Sequence, residues 1–370
     1  MRVTSSHGKR NQAAHRTNCA PVGRPDAWCY NGRDSGLWVT WREMALDADK
    51  LHRDAIVIDA HCDTLLSVVE ARRSLVEPSE QGHGDLARLR EGGVTAQLFA
   101  LFARPPALGG TAPTWQALRL LDAFYQALEA TPDLILATKA ADIRRAKAEG
   151  RLAGIIGMEG AEALRGDLGV LRMFYRMGLR NLGLTWSLRN EAADGVSEER
   201  TGGGLTEFGV QVVRECNRLG IMVDVAHLAP AGVKEVLAMS EVPVIDSHAN
   251  ARALCNHRRN LTDEQLEGIA RTGGVVCVVF VPSFVADEPE ERTLDKLLDH
   301  IDHIVRVAGV DHVGLGSDFD GFDDPPIAGL ENATHFPHIT AGLLARGYSE
   351  EAVRKVLGGN LLRVFEQVAG

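Results

Sequence analysis

The sequence predicts a (β/α)8 barrel preceded by an extension without regular structure. Three observations point there. From residue 55 to residue 318, eight short apolar runs alternate with longer amphipathic stretches, the pattern of βα units around a parallel sheet. Five of the runs end on histidine or a carboxylate, and a barrel of this kind carries its chemistry at the C-terminal ends of its strands. The main competitor, an open doubly wound sheet, is disfavoured because neither GxGxxG nor a phosphate-binding loop follows the first run.

The apolar runs, in order, are Ala55–Ile58 leading to Asp63, Val94–Ala103, Leu152–Glu159, Asn181–Trp186, Ile221–His227, Val242–His248, Gly273–Val281 and His312–Asp318. Between them, Trp115–Ala130, Leu168–Arg176, Thr206–Leu219, Pro230–Met239, Thr262–Arg271 and Leu294–Val307 place apolar residues at i, i+3 and i+4, which is the period of a helix covering a sheet. Thr262 with Gln265 reads as a capping box, and Gly220 and Gly309 stand where helices should stop. No linker divides residues 50–370, so residues 46–370 are expected to form one barrel domain.

The chain has 370 residues, 45% hydrophobic and 24% charged, which excludes disordered, collagen-like and disulfide-scaffold classes. Its net charge of −10 would repel a phosphate backbone, so no nucleic-acid partner is expected. Residues 1–40 carry six Lys/Arg against two Asp/Glu, whereas the body carries 34 against 48. The basic stretch has no helical or strand period, and residues 1–45 are expected to be disordered, with a transit peptide as the alternative. The longest apolar run, Val275–Val281, is far short of the ~20 residues that span a bilayer, so no membrane anchor is expected. Six cysteines without a CxxC read as free thiols, mostly buried, and a cytoplasmic location is the matching expectation.

The strand ends carry the functional signal. Strand one ends His61-Cys62-Asp63, where alternation sends His61 and Asp63 one way and Cys62 the other, into the barrel wall. Glu159 closes the third run, His227 the fifth, His248 the sixth and Asp318 the eighth. Imidazole and carboxylate donors suit zinc and other borderline divalent metals, and one carboxylate can bridge two ions. Two metals at one mouth can activate water and polarise a carbonyl together, which is hydrolytic chemistry. Among the other histidines, His300 and His303 read as a solvated helix face, and His7, His15, His52, His83, His335 and His338 as loop or tail residues.

The segments Ile58-Asp59-Ala60-His61-Cys62-Asp63, Gly157-Met158-Glu159-Gly160, Asp224-Val225-Ala226-His227, Ser247-His248, Arg258-Arg259-Asn260 and Gly316-Ser317-Asp318-Phe319-Asp320-Gly321 together resemble the membrane (renal) dipeptidase family of the metallo-dependent amidohydrolase superfamily. The resemblance runs from about residue 51 to Gly358-Gly359-Asn360-Leu361. HxD at strand one with glutamate at strand three separates this family from relatives with HxH or a modified lysine bridge. The resemblance implies a dinuclear zinc dipeptidase, with other divalent metals as alternatives, acting on dipeptides that include those with a C-terminal D-residue. His61 and Asp63 would bind one zinc, His227 and His248 the other, and Glu159 would bridge them. Asp318 would carry a proton from the nucleophile to the leaving amine. Arg259 would hold the substrate carboxylate, a role that suits the planar fork of a guanidinium, while Arg258 reads as a surface residue. A homodimer is also implied.

One position departs from the pattern. Family members often read Leu-Thr-His at the end of strand four, with the histidine near the scissile carbonyl, but this chain reads Leu184-Thr185-Trp186. An indole has one N–H donor and no positive charge, so its help to an oxyanion would be weaker or differently aimed. Asn190, four residues on, is a candidate polar contact for the substrate. Two other readings stand beside the dipeptidase: a metal-dependent hydrolase of another amide, ester or lactam, and a catalytically silent barrel that binds metal or peptide.

Overall fold

The computed structural model describes residues 28–30, 38–70 and 73–370. The chain divides into two units, residues 1–47 and 48–370. In the first, Trp28–Tyr30 pairs antiparallel with Trp38–Thr40, and a helix begins at Trp41. The expected extension over residues 1–45 includes this strand pair and the start of that helix. The rest of that stretch, with His7, His15 and the transit-peptide alternative, lies outside the described residues.

The second unit is a closed parallel barrel of eight strands: β1 (Ile58–Cys62), β2 (Ala96–Phe102), β3 (Leu152–Glu159), β4 (Leu179–Gly183), β5 (Met222–Asp224), β6 (Ile245–Asp246), β7 (Val275–Val278) and β8 (Val313–Leu315). Consecutive strands are neighbours around the ring, and β8 pairs with β1 through Leu315 and Asp59. The longest pairing joins β2 to β3, from Ala96 opposite Ala153 to Phe102 opposite Glu159. Along its other edge, β3 pairs first with an additional strand, Leu134–Leu136, and only from Ile156 onward with β4. That additional strand and the helix after it, Ala140–Glu149, are absent from the predicted element order.

The predicted helices are all present. Leu168–Arg176 and Pro230–Met239 have the expected bounds, while Thr206 and Thr262 are side-chain N-caps of Glu207–Leu219 and Asp263–Arg271. Thr262 and Gln265 form the expected capping box, and Gly220 and Gly309 end their helices at positive φ. At the opposite end from the strand C-termini, Leu361, Val364 and Phe365 of helix Asn360–Ala369 join one apolar cluster with Ile58, Met222, Ile245 and Val275. A second cluster fills the layer between strands and outer helices.

His300 and His303 are not on a solvated face. Both are buried on helix Leu294–Ala308: His300 Nε2 donates to Val285 O at 2.9 Å while Nδ1 accepts from Ala251 N–H, and His303 meets Asp263 at 2.7 Å. Nor is His52 a loop residue. It is buried on helix Trp41–Asp54, bound to Thr340 and Gly92, and His338 lies on helix Phe336–Ala345. For His52, His300 and His303 a helix of mixed sequence buries a hydrogen-bonded imidazole where the polarity of its neighbours suggested solvent, whereas His338 is exposed.

Candidate active site

Five strands deliver a donor to one mouth of the barrel, and the backbone that carries each donor explains why several strands are shorter than their apolar runs. β5, β6 and β8 stop at Asp224, Asp246 and Leu315, so His227, His248 and Asp318 ride on the turns that follow. His227 and Asp318 hold left-handed backbone at φ 67° and 60°, and Asp320 does so at 68°. Non-glycine residues in that region carry strain and tend to mark functional sites.

Three buried aspartates shape these turns. Asp59 accepts from the backbone N–H of Ser317 at 2.7 Å and from its hydroxyl at 2.6 Å, tying β1 to the turn after β8. Asp224 accepts from Ala226 N–H and Ser247 N–H, both at 3.0 Å, which links the turns bearing His227 and His248. Asp246 accepts from His248 N–H at 3.2 Å. Each aspartate lies two residues before a backbone donor, His61, Ala226 or His248, so a D-x-[HA] spacing marks these turns in the sequence. Backbone bonds from Asp63 N–H to Phe319 O and from Asp318 N–H to His61 O stitch the same two ends together.

The donor atoms converge. His61 Nε2 lies 3.3 Å from Asp63 Oδ2, 3.6 Å from Glu159 Oε2 and 3.7 Å from Asp318 Oδ1. On the other side, Glu159 Oε1 lies 3.0 Å from His227 Nε2 and 3.9 Å from His248 Nε2, and the two Nε2 atoms are 2.9 Å apart. His227 Nδ1 is bound to Ser187 Oγ and His248 Nδ1 to Ser247 Oγ, each at 2.8 Å, so a serine orients each ring and both Nε2 lone pairs aim at the same space. Cys62 turns away into the apolar wall, as expected. Gly321 permits the crowding: a Cβ there would fall 2.3 Å from Asp318 Oδ1 and 2.5 Å from Asp63 Oδ2.

The electrostatics of this cluster call for cations. Burial and the neighbouring Glu159 charge push the Asp63 carboxyl up, and burial with Asp63 and Glu159 pushes Asp318 well up. Burial also opposes the Glu159 charge, but His61 and His227 prevail and hold that carboxyl low. Burial and Arg259 push His227 down to about 4, and burial with the His61 charge takes His248 well down, so both are neutral imidazoles with lone pairs to give. Asp63 Oδ1 is buried without a partner. Two donor sets that share Glu159, one with His61 and Asp63 and one with His227 and His248, each have their atoms within 4.8 Å of one another. This chemistry fits divalent metal.

Above the donors the mouth opens to a cavity of about 650 Å³. Arg259 lines it while being only 5% exposed; its Nη2 donates to His248 O at 2.9 Å and its plane lies over Phe284. Arg258 stands exposed at the rim. The Trp186 indole also lines the mouth, stacked on His227 at 5.8 Å between centroids with Phe102 on another side. Asn190 does not take the expected role. Its amide donates to Leu184 O and its carbonyl accepts from Ala192 and Ala193 N–H, so it organises the loop after β4 instead of facing substrate. Glu162, three residues past Glu159, is 1% exposed with both oxygens unpartnered, and burial pushes it up to about 7.

Residues 46–370 match the family model described as membrane dipeptidase, peptidase family M19. The chain belongs to the membrane dipeptidase family. Solved structures agree. A metallopeptidase from Rhodobacter sphaeroides, liganded with a phosphinate mimic of the dipeptide L-Ala-D-Ala, is 31% identical with a TM-score of 0.77, over 85% of this chain and 99% of that one. Dipeptidase AC, a metallopeptidase of the same family, is 32% identical with a TM-score of 0.78, over 86% and 99%. The probable dipeptidase PvdM from Pseudomonas aeruginosa shares the fold at 24% identity and a TM-score of 0.79, over 89% and 99%. As a membrane dipeptidase family member the chain is a metallo-dipeptidase, a metal-dependent hydrolase of peptide bonds. Among the described residues no helix is long and apolar enough to cross a membrane.

Proposed function

We propose that the protein is a dinuclear zinc dipeptidase that cleaves dipeptides bearing a free C-terminal carboxylate, those with a C-terminal D-residue included. The observation that carries this reading is the divergence of the two Glu159 oxygens, Oε2 toward His61 and Oε1 toward His227 and His248, which is what a carboxylate bridging two ions requires. His61 and Asp63 would hold one ion, His227 and His248 the other. When bound, such a pair would lower the pKa of a shared water and polarise the scissile carbonyl.

The protein's own groups supply the remainder. Arg259, buried beside Phe284 and opening on the mouth, pairs the substrate carboxylate and fixes the distance from that end to the donor cluster. Asp318 Oδ1, on the same side of the cluster as His61, passes a proton to the departing amine. Trp186 and Phe102 present an apolar wall where the side chain of the first substrate residue would lie. The mimic of L-Ala-D-Ala on the R. sphaeroides relative supports the inclusion of D-residues. Free buried Cys62, Cys216, Cys255 and Cys277 support a cytoplasmic location, and a homodimer belongs to the same proposal.

Metal analysis of purified protein, with turnover on L,L and L,D dipeptides, dipeptide amides and N-acyl amino acids before and after chelation, tests the reading. Two zinc ions per chain and chelation-sensitive cleavage of free dipeptides are expected. A single ion, or equal rates on dipeptides and their amides, would overturn it.

A further inference from the structure

Two polar atoms near the base of the mouth lack partners. Asp246 Oδ2 and Arg259 Nε are both buried, on side chains 0% and 5% exposed. Both residues line one small cavity of about 10 Å³ that borders the mouth at His227, Arg258 and Arg259. Arg259 Nη2 donates to His248 O, and Nε and Asp246 Oδ2 do not meet each other at hydrogen-bond distance. A cavity of that size holds one water, and a buried water is stable where it satisfies otherwise orphaned polar groups.

The same residues meet again across His248. Asp246 accepts from the His248 N–H at 3.2 Å, and Arg259 Nη2 donates to the His248 carbonyl at 2.9 Å. One peptide segment is thus gripped from below by the carboxylate and from the side by the guanidinium. We propose that Asp246 is a positioning residue for substrate: through one water shared between its Oδ2 and Arg259 Nε, it holds the guanidinium plane so that the remaining edge of the fork faces the mouth. The device ties the carboxylate anchor to the backbone of a proposed metal ligand. It therefore fixes how far a substrate carboxylate lies from the reacting bond, and so favours one residue beyond that bond over two.

The inference rests on the reading of Arg259 as carboxylate anchor, and the experiment separates the two. Steady-state kinetics of metal-loaded wild type, Asp246→Asn, Asp246→Ala and Arg259→Met are compared on a dipeptide, the matching dipeptide amide and the matching tripeptide. Wild type should prefer the free dipeptide to its amide; equal rates would sink the Arg259 reading and this inference with it. Given that preference, Asp246→Ala should raise KM for the dipeptide about tenfold with kcat within about threefold, leave the amide unaffected, and narrow the dipeptide-over-tripeptide preference. Asp246→Asn, which keeps an acceptor for His248 N–H and a partner for the water, should recover most of the loss and serves if the alanine variant does not fold. Adding Asp246→Ala to Arg259→Met should change KM no further. Equal losses on dipeptide and amide, or a fall in kcat at constant KM, would show that Asp246 acts on His248 alone and overturn the proposal.

Discussion

Asp59 and Ser317, 258 residues apart, are joined by two short hydrogen bonds, with Oδ1 taking the backbone N–H at 2.7 Å and Oδ2 the hydroxyl at 2.6 Å. The contact fastens the strand that ends in His61 and Asp63 to the turn that bears Asp318. Because Asp59 is fully buried, Asp59→Ala would strand two donors away from water, at an expected cost of about 3 kcal/mol. Thermal denaturation of metal-loaded protein should show that loss, with kcat falling about tenfold or more as Asp318 drifts from His61. An unchanged melting temperature would mean that the turn is held from elsewhere.

Asp318→Asn preserves size and tolerates left-handed backbone, so the fold and the metal content should survive. Turnover should drop by about 10²- to 10⁴-fold if the proposed proton carrier is lost. Metal analysis beside single-turnover rates decides the matter: full activity in the variant would remove Asp318 from proton transfer.

Metal removal should destabilise the fold as well as abolish activity. Asp63, Glu159 and Asp318 crowd one space with His61 among them, and Asp63 and Asp318 resist ionisation there. Chelated protein should melt several degrees lower, and added zinc should restore the midpoint in a concentration-dependent way, as expected for a ligand that binds only the folded state. A midpoint indifferent to metal would contradict this.

Glu162 supplies a pH test outside the donor cluster. Its carboxyl is raised from 4.5 to about 7 by burial, so the folded state binds a proton more tightly than the unfolded chain does. The stability it contributes is complete below pH 4.5 and is lost as pH rises through 7, a swing of about 3 kcal/mol. Glu162→Gln, which carries no charge, should therefore match wild type near pH 5 and melt higher at pH 8. A constant difference between the two across that range would exclude Glu162 as the titrating group.

The barrel was legible because a parallel sheet with helices on its outer face is written as alternating apolar and amphipathic stretches, and the donors because they follow those runs directly. Three kinds of feature were not legible. Leu134–Leu136 is too short to stand out as an apolar run, and helix Ala140–Glu149 carries too many charged residues to show a clear apolar stripe. His227, His248 and Asp318 read as strand residues although they lie on turns, because a turn pinned by a buried aspartate leaves no mark on hydropathy. Asn190, His300 and His303 show a further limit: composition reveals that a residue is polar, and only the fold reveals which backbone groups occupy it.

The left-handed backbone at His227, Asp318 and Asp320 also narrows the mutational neighbourhood of the enzyme. Aspartate, asparagine, histidine and glycine enter that region at little cost, whereas β-branched residues do not. Histidine and aspartate are also the donors the cluster uses, so few residues satisfy backbone and chemistry at once. A saturation library at position 318 should therefore split in two, with asparagine and glycine giving folded, silent proteins and valine, isoleucine and threonine giving poorly folded ones. Change in substrate preference has freer room at Trp186 and along the mouth, where the backbone makes no such demand.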